Sequence, residues 1–168
     1  MITEIPDGRR KSWIEDKDGI YRVWHTNGNM ALEIHHIAGI RNGSRKTWDK
    51  DGGLTCKETW VAGLRNGSRK TWYKTGTPHY EDTFKAGVLD GIGKAWYENG
   101  KLHCEHTFKA GVLDGICRGW DKTGYQSCEE TWVAGKRDGI RRAWDKDGVL
   151  LLAETYKAGL IQSLDVYQ

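Results

Sequence analysis

Arg41-Asn42-Gly43-Ser44-Arg45-Lys46-Thr47-Trp48 is repeated without change as Arg65-Asn66-Gly67-Ser68-Arg69-Lys70-Thr71-Trp72. The step is 24 residues, and it governs most of the chain. Tryptophan recurs at 24, 48, 72, 96, 120 and 144, and glycine at 19, 43, 67, 91, 115 and 139. A second glycine series runs 28, 52, 76, 100, 124 and 148, and a third, always after alanine, runs 39, 63, 87, 111, 135 and 159. A fixed period without insertion is the mark of a repeat architecture, in which each unit is stabilised by its neighbours.

Each unit holds two strand-like segments, for example about 68–73 and 78–85. The link after the tryptophan strand, such as Lys50-Asp51-Gly52, suits a type I turn closed by a left-handed glycine. The other link reads as five residues, such as Ala62-Gly63-Leu64-Arg65-Asn66, followed by Gly67. The expected fold is therefore all-β: an elongated, twisted antiparallel β-meander of tandem hairpin repeats. Two strands per unit at ~4.8 Å predict a rod on the order of 55–60 Å.

The organisation expected from the period is an N-terminal cap over 1–18, containing Trp13 and Ile14. Six repeats follow over 19–162 (19–42, 43–66, 67–90, 91–114, 115–138 and 139–162), with a C-terminal edge strand over 163–168. A five-residue link sets Phe108 opposite Ile116, His106 opposite Arg118 and Cys104 opposite Trp120. The tight turn sets Trp120 opposite Gln126 and Trp48 opposite Leu54. This register puts aromatic and aliphatic residues on one face, with a ladder of Glu58–Lys70, Asp82–Lys94 and Glu130–Arg142 pairs within it. The other face, with Thr59, Thr83, Thr107, Thr131 and Thr155, is expected to be wet.

Composition fits this reading. Nine tryptophans supply burial, while 22 glycines and 2 prolines fit many turns between short strands. A net charge of +3 does not by itself imply nucleic acid. The first residues lack the basic and apolar regions of a signal peptide, and the longest apolar run, Val149 to Ala153, is too short to span a bilayer. Four cysteines without CxxC spacing suggest reduced thiols and an intracellular, cytoplasmic location.

The pattern G-x-x-x-G-x-x-x-x-W-x-x-x-G, followed by acidic-Thr-aromatic-x-Ala-Gly, is carried for example by Gly87 to Gly100. Over about 19–162 it resembles the MORN repeat. The closer resemblance is to the variant of the YwqK-type bacterial antitoxin family and of large DNA viruses of amoebae. The further glycine usual in that repeat stands at Gly93, where other units have Arg45, Arg69, Cys117 and Arg141. The resemblance implies a non-enzymatic scaffold that binds a protein partner. Alternatives are an antitoxin neutralising a protein toxin, an anionic-lipid module on a membrane periphery, and a virus structural or assembly protein in the host cytoplasm.

Candidate chemistry is sparse. No nucleophilic triad, phosphate loop or HExxH motif is present, so neither an enzyme nor a cofactor is expected. His103 alternates away from Cys104 and His106 on a strand, which argues against a metal site. Cys56, Cys104 and Cys128 share a phase and read as packed thiols, whereas Cys117 falls in the opposite phase and reads as exposed. His36 takes the phase of Trp60, Phe84, Phe108, Trp132 and Tyr156, as a packing substitute.

Arg41, Arg65 and Arg137 in the links, with Arg45, Arg69 and Arg141 on the wet face, form a possible anion-binding stripe. Acidic neighbours and Leu89 and Leu113 interrupt it, and nucleic acid is disfavoured. The last unit loses its charges: Ala153 replaces an acid and Val166 replaces the expected basic partner of Glu154. Leu160, Ile161, Leu164, Val166 and Tyr167 thus form a candidate interaction edge, for a protein partner or a second copy.

Overall fold

The computed structural model describes residues 2–4, 10–12 and 18–167, with side chains from 18 onward; Trp13 and Ile14 lie outside the described residues. Every described element is a strand, and the strand pairings among the described residues are antiparallel. The chain divides into two compact units.

The first unit comprises residues 1–79 and 84–87. It contains β1 (Ile2–Glu4), β2 (Arg10–Ser12), β3 (Gly19–Trp24), β4 (Met30–Ile37), β5 (Ile40–Trp48), β6 (Leu54–Val61), β7 (Leu64–Trp72) and parts of β8 (Pro78–Lys85). From β1 to β7 each strand pairs with the next. Val23 and Ile34 are buried between these strands.

The second unit comprises residues 80–83 and 88–168. Its strands are β9 (Val88–Leu89), β10 (Gly91–Trp96), β11 (Leu102–Lys109), β12 (Val112–Leu113), β13 (Gly115–Trp120), β14 (Gln126–Val133), β15 (Lys136–Arg137), β16 (Gly139–Trp144), β17 (Leu150–Lys157) and β18 (Leu160–Val166). The meander continues through β10–β11, β11–β13, β13–β14, β14–β16, β16–β17 and β17–β18.

The turn after each tryptophan strand is as expected. Gly52 N–H donates to Asp49 O at 3.1 Å and Gly52 has φ +91°. Trp48 faces Leu54 and Trp120 faces Gln126. The first residue of the turn locks it: the Asp49 carboxylate accepts from the N–H groups of Asp51 and Gly53, both at 2.9 Å.

The other link departs from expectation. It is a two-residue turn rather than five, with Val61 facing Leu64 and Lys109 facing Val112. Both central residues are left-handed, as a type I′ hairpin requires: Ala62 has φ 48° and Gly63 φ 81°, and all six alanines of this phase lie between 48° and 52°. Left-handed alanine costs roughly 1–2 kcal/mol. Hydrogen bonds from the preceding repeat offset it. Ala110, Ala134 and Ala158 N–H donate to the carboxylates of Asp90, Asp114 and Asp138, and the following glycines donate to carbonyls such as Leu89 O and Leu113 O.

After that turn the register shifts, between Glu58 and Trp60 for example, so the strand resumes one residue out of the expected pairing. Cys104 faces Gly119 rather than Trp120, and Glu105 faces Arg118. Because side chains alternate, one residue of slip exchanges the faces of a whole strand. The expected ladder is corrected accordingly. Glu58 faces Arg69, Lys94 faces Glu81, Arg142 faces Glu129, and Glu154 faces Leu164 while Val166 faces Leu152. The terminal strand also starts earlier than 163, at Leu160, directly after the Ala158-Gly159 turn.

Candidate interaction surfaces

In each unit one face, that of Trp60 in the first and of Trp132 in the second, stacks guanidinium groups, carboxylates and rings. Glu58, 2% exposed, accepts from Arg45 Nη1 at 2.9 Å through Oε1 and from Arg65 Nε at 2.8 Å through Oε2. Arg65 also lies over Trp60 at 5.2 Å and Phe84 at 5.6 Å, and Arg41 lies 4.9 Å from the Trp60 ring centre. In the second unit Arg137 bonds Glu130 at 2.8 Å and lies over Trp132 and Tyr156, while Arg141 bonds Glu154 at 2.7 Å.

The arginines expected to form a wet anion-binding stripe are therefore placed otherwise. Two one-residue shifts, one after the Ala-Gly turn and one beside the tryptophan, as between Thr47 and Trp48, put Arg45, Arg69 and Arg141 on the ring face, opposite Glu58 and Glu154. Carboxylates and aromatic rings occupy the guanidinium groups of Arg41, Arg45, Arg65, Arg137 and Arg141. Charge-assisted bonds of this kind fix register and hold rings in place.

Electrostatics on this face favour ionised acids. Burial pushes the Glu58 carboxyl up, but the hydrogen bond from Arg65 and the charges of Arg65 and Arg45 outweigh it, so the net shift is downward. Glu33 is likewise raised by burial and lowered further by Arg22, Lys46 and His35. Glu154 is held down first by its bond from Arg141, against burial. A carboxyl whose folded pKa lies below its unfolded value stabilises the fold above that unfolded value. The contribution is lost as pH falls through the folded pKa. The melting temperature is thus expected to change little from pH 8 to 5.5 and to fall below about pH 4.5, the ordinary carboxyl value. Calorimetry across this range, with Glu58→Gln losing part of the acid dependence, checks the assignment.

The opposite face carries exposed aliphatic residues beside the Ala-Gly turns. In the first unit these are Ile37, Ile40, Val61 and Leu64. In the second they are Val88, Ile92, Val112, Ile116, Val133 and Ile140, with exposed Lys109, Lys136 and Lys157 nearby. The expected register had placed Ile116 on the apolar face, so this row was not legible in the sequence.

The predicted C-terminal edge residues come together on one element. All seven residues of β18 are exposed, Leu160 at 70% and Val166 at 68%, and Tyr167 follows with its N–H bonded to Leu151 O. Among the described residues β18 pairs with β17 alone. Leu164 and Val166 share the face of Glu154 and Leu152, while Ser163 and Asp165 point to the other face.

The remaining candidates are structural in placement. His103 stacks on Tyr97 at 4.4 Å and His106 lies edge-on to Phe108 at 6.2 Å. Among the described residues no group of three His, Cys, Asp or Glu side chains is arranged to hold a metal ion. Cys117 is 3% exposed, not open to solvent, because a one-residue shift between Gly119 and Trp120 sets it opposite Glu130. Burial raises the Cys117 and Cys104 thiols, which keeps them protonated and weakly nucleophilic. His36 faces Gly19 and Arg41.

A family model described as the MORN repeat variant matches residues 17–38, 65–86 and 89–110, three stretches in the same phase of the 24-residue period. No curated protein matches the chain.

Proposed function

We propose that this chain, a protein built of MORN-variant repeats, is a non-enzymatic scaffold that associates through its C-terminal edge strand. MORN repeats are protein- or membrane-interaction modules, and the carrying observation is β18. It is a seven-residue strand, exposed throughout, with one edge unpaired among the described residues. Sheet edges are ordinarily guarded by lysine, proline, bulges or cover. Between Gly159 and Tyr167 the sequence has no lysine or proline and one charged residue, Asp165.

The occupant that fits best is a second copy. Antiparallel pairing of two β18 strands centred on Ser163 sets Asp165 opposite Ile161 and Leu164 opposite Gln162, so no like charges meet. Main-chain hydrogen bonds supply affinity and the Leu164–Val166 face supplies the apolar contact. Light scattering from 5 to 500 µM is the test. A concentration-dependent dimer in the wild type, reduced at least tenfold in affinity by Val166→Lys, supports the reading; a monomer throughout in both proteins contradicts it.

A second reading rests on the aliphatic row flanked by Lys109, Lys136 and Lys157. Apolar residues beside lysines suit an anionic lipid surface in a peripheral, cytoplasmic setting. Co-sedimentation with phosphatidylserine vesicles, weakened by salt and by Ile116→Glu, is its expected signature. Equal recovery with neutral and anionic vesicles contradicts it. The antitoxin and virus-assembly roles implied by the closer resemblance predict a distinct protein bound at the same edge.

A further inference from the structure

In the second unit one glutamate of the ring face, Glu130, bonds Arg137 but has no cation opposite it on the preceding strand. Arg45 faces Glu58 and Arg141 faces Glu154, both as ion pairs. Tyr21 faces Ile34 and Gly93 faces His106, so those two facing pairs hold neither an acid nor a guanidinium. Cys117 faces Glu130, and there the carboxylate keeps Arg137 and Arg141 on Oε2 while the cation of the preceding strand is replaced by a thiol.

The comparison with Glu58 is atom by atom. Arg65 and Arg137 occupy one repeat phase, and each bonds Oε2 of its glutamate at 2.8 Å. Arg45 and Cys117 occupy the next phase. Arg45 Nη1 bonds Oε1 of Glu58 at 2.9 Å, whereas Arg137 and, at 3.9 Å, Arg141 both approach Glu130 at Oε2. Space accompanies the missing group. A cavity of about 450 Å³ is lined by Cys104, His106, Cys117, Gly119, Cys128 and Glu130, and it extends to Trp120 and Tyr97. Gly119 has no side chain, and the Cys128 thiol leans over it, 2.8 Å from where a Cβ would stand.

We infer that this cavity is a binding site for an alkylguanidinium group supplied from outside the fold, which takes the place that Arg45 fills beside Glu58. The planar fork donates to Oε1 of Glu130, and the alkyl stem lies against the thiols of Cys104 and Cys128. An ammonium is a poorer occupant because it lacks the fork geometry. The site is independent of the β18 edge, and neither reading depends on the other.

The test is an amide NMR titration of the full chain with acetyl-arginine-methylamide, ethylguanidinium and, as control, acetyl-lysine-methylamide. Saturable shifts are expected at 104–106, 117–119 and 128–130, with Kd on the order of 1–10 mM for the guanidinium probes and at least fivefold weaker binding of lysine. Tighter binding of an arginine-containing tripeptide than of ethylguanidinium identifies a peptide source; equal binding identifies a free small molecule. Cys117→Arg brings the cation into the fold and is expected to abolish the shifts, while Cys117→Ala retains them. Should Cys117→Arg not fold, Glu130→Gln is expected to weaken binding at least fivefold. Absence of saturable shifts, equal binding of lysine, or unchanged binding in both Cys117→Arg and Glu130→Gln overturns the assignment.

Discussion

Gly115→Ala is expected to destabilise the second unit by about 3 kcal/mol, against about 1 kcal/mol for Gly100→Ala. Both glycines are left-handed, with φ +124° and +83°. They differ in what a methyl group meets. Nothing lies within 4 Å of a Cβ at Gly100, which sits in a tight turn. At Gly115 the new Cβ falls 2.9 Å from Thr107 Cβ and 3.0 Å from its Cγ2. Thr107 Cβ is fixed to the backbone, and its hydroxyl already donates to Ile116 O at 3.0 Å, so rotating the side chain does not clear the contact. The strands β11 and β13 must move apart just where the register resumes. Urea denaturation of both variants measures the difference; equal midpoints would show that left-handed strain alone accounts for this glycine phase.

Glu58→Ala is the second large effect, a loss of about 2 kcal/mol localised to β5, β6 and β7. Removing one member of a buried ion pair leaves its partners uncompensated, which costs roughly 3–5 kcal/mol when they are fully buried. Arg45 and Arg65 keep 28% and 42% of their side-chain surface, so released guanidinium groups regain some water and the loss is smaller. The comparison variant is Glu105→Ala, whose bonds to Lys94 and Arg118 lie on the more open face; about 0.5 kcal/mol is expected there. Hydrogen exchange should show β5 to β7 opening in Glu58→Ala with β13 to β17 unaffected, because repeat units are stabilised by near neighbours. Uniform loss of protection along the chain would contradict this.

The contrast between the two hairpin links explains what could be read from the sequence. In the turn at Asp49 to Gly53 the chemistry is local: an aspartate that caps its own backbone and a glycine at the left-handed position. Both are visible as residue types, and the Trp48–Leu54 and Trp120–Gln126 pairings followed from them. In the Ala-Gly link the left-handed residue is an alanine, a type that ordinarily avoids that conformation. Its support comes from Asp90, Asp114 or Asp138, twenty residues earlier in the chain. Nothing local signals a two-residue turn.

The one-residue slip that follows, with the matching shift beside the tryptophan at the strand's end, is small in the backbone and large for the surface. It moved Arg45, Arg69 and Arg141 from an imagined wet stripe onto the ring face, turned Cys117 inward, and exposed Ile92, Ile116 and Ile140. Only the slipped register brings Cys117 opposite Glu130, so the guanidinium vacancy could not be seen before the pairing was known. The low charge of the last strand was legible because it is a property of composition rather than of register.

The most direct test of edge-mediated association is amide hydrogen exchange by mass spectrometry on the wild-type chain at 5 and 500 µM. The account predicts that peptides spanning 159–167 gain protection at the higher concentration, while β10 to β16 stay unchanged and Val166→Lys shows no gain. Exchange in 159–167 that is the same at both concentrations would contradict it.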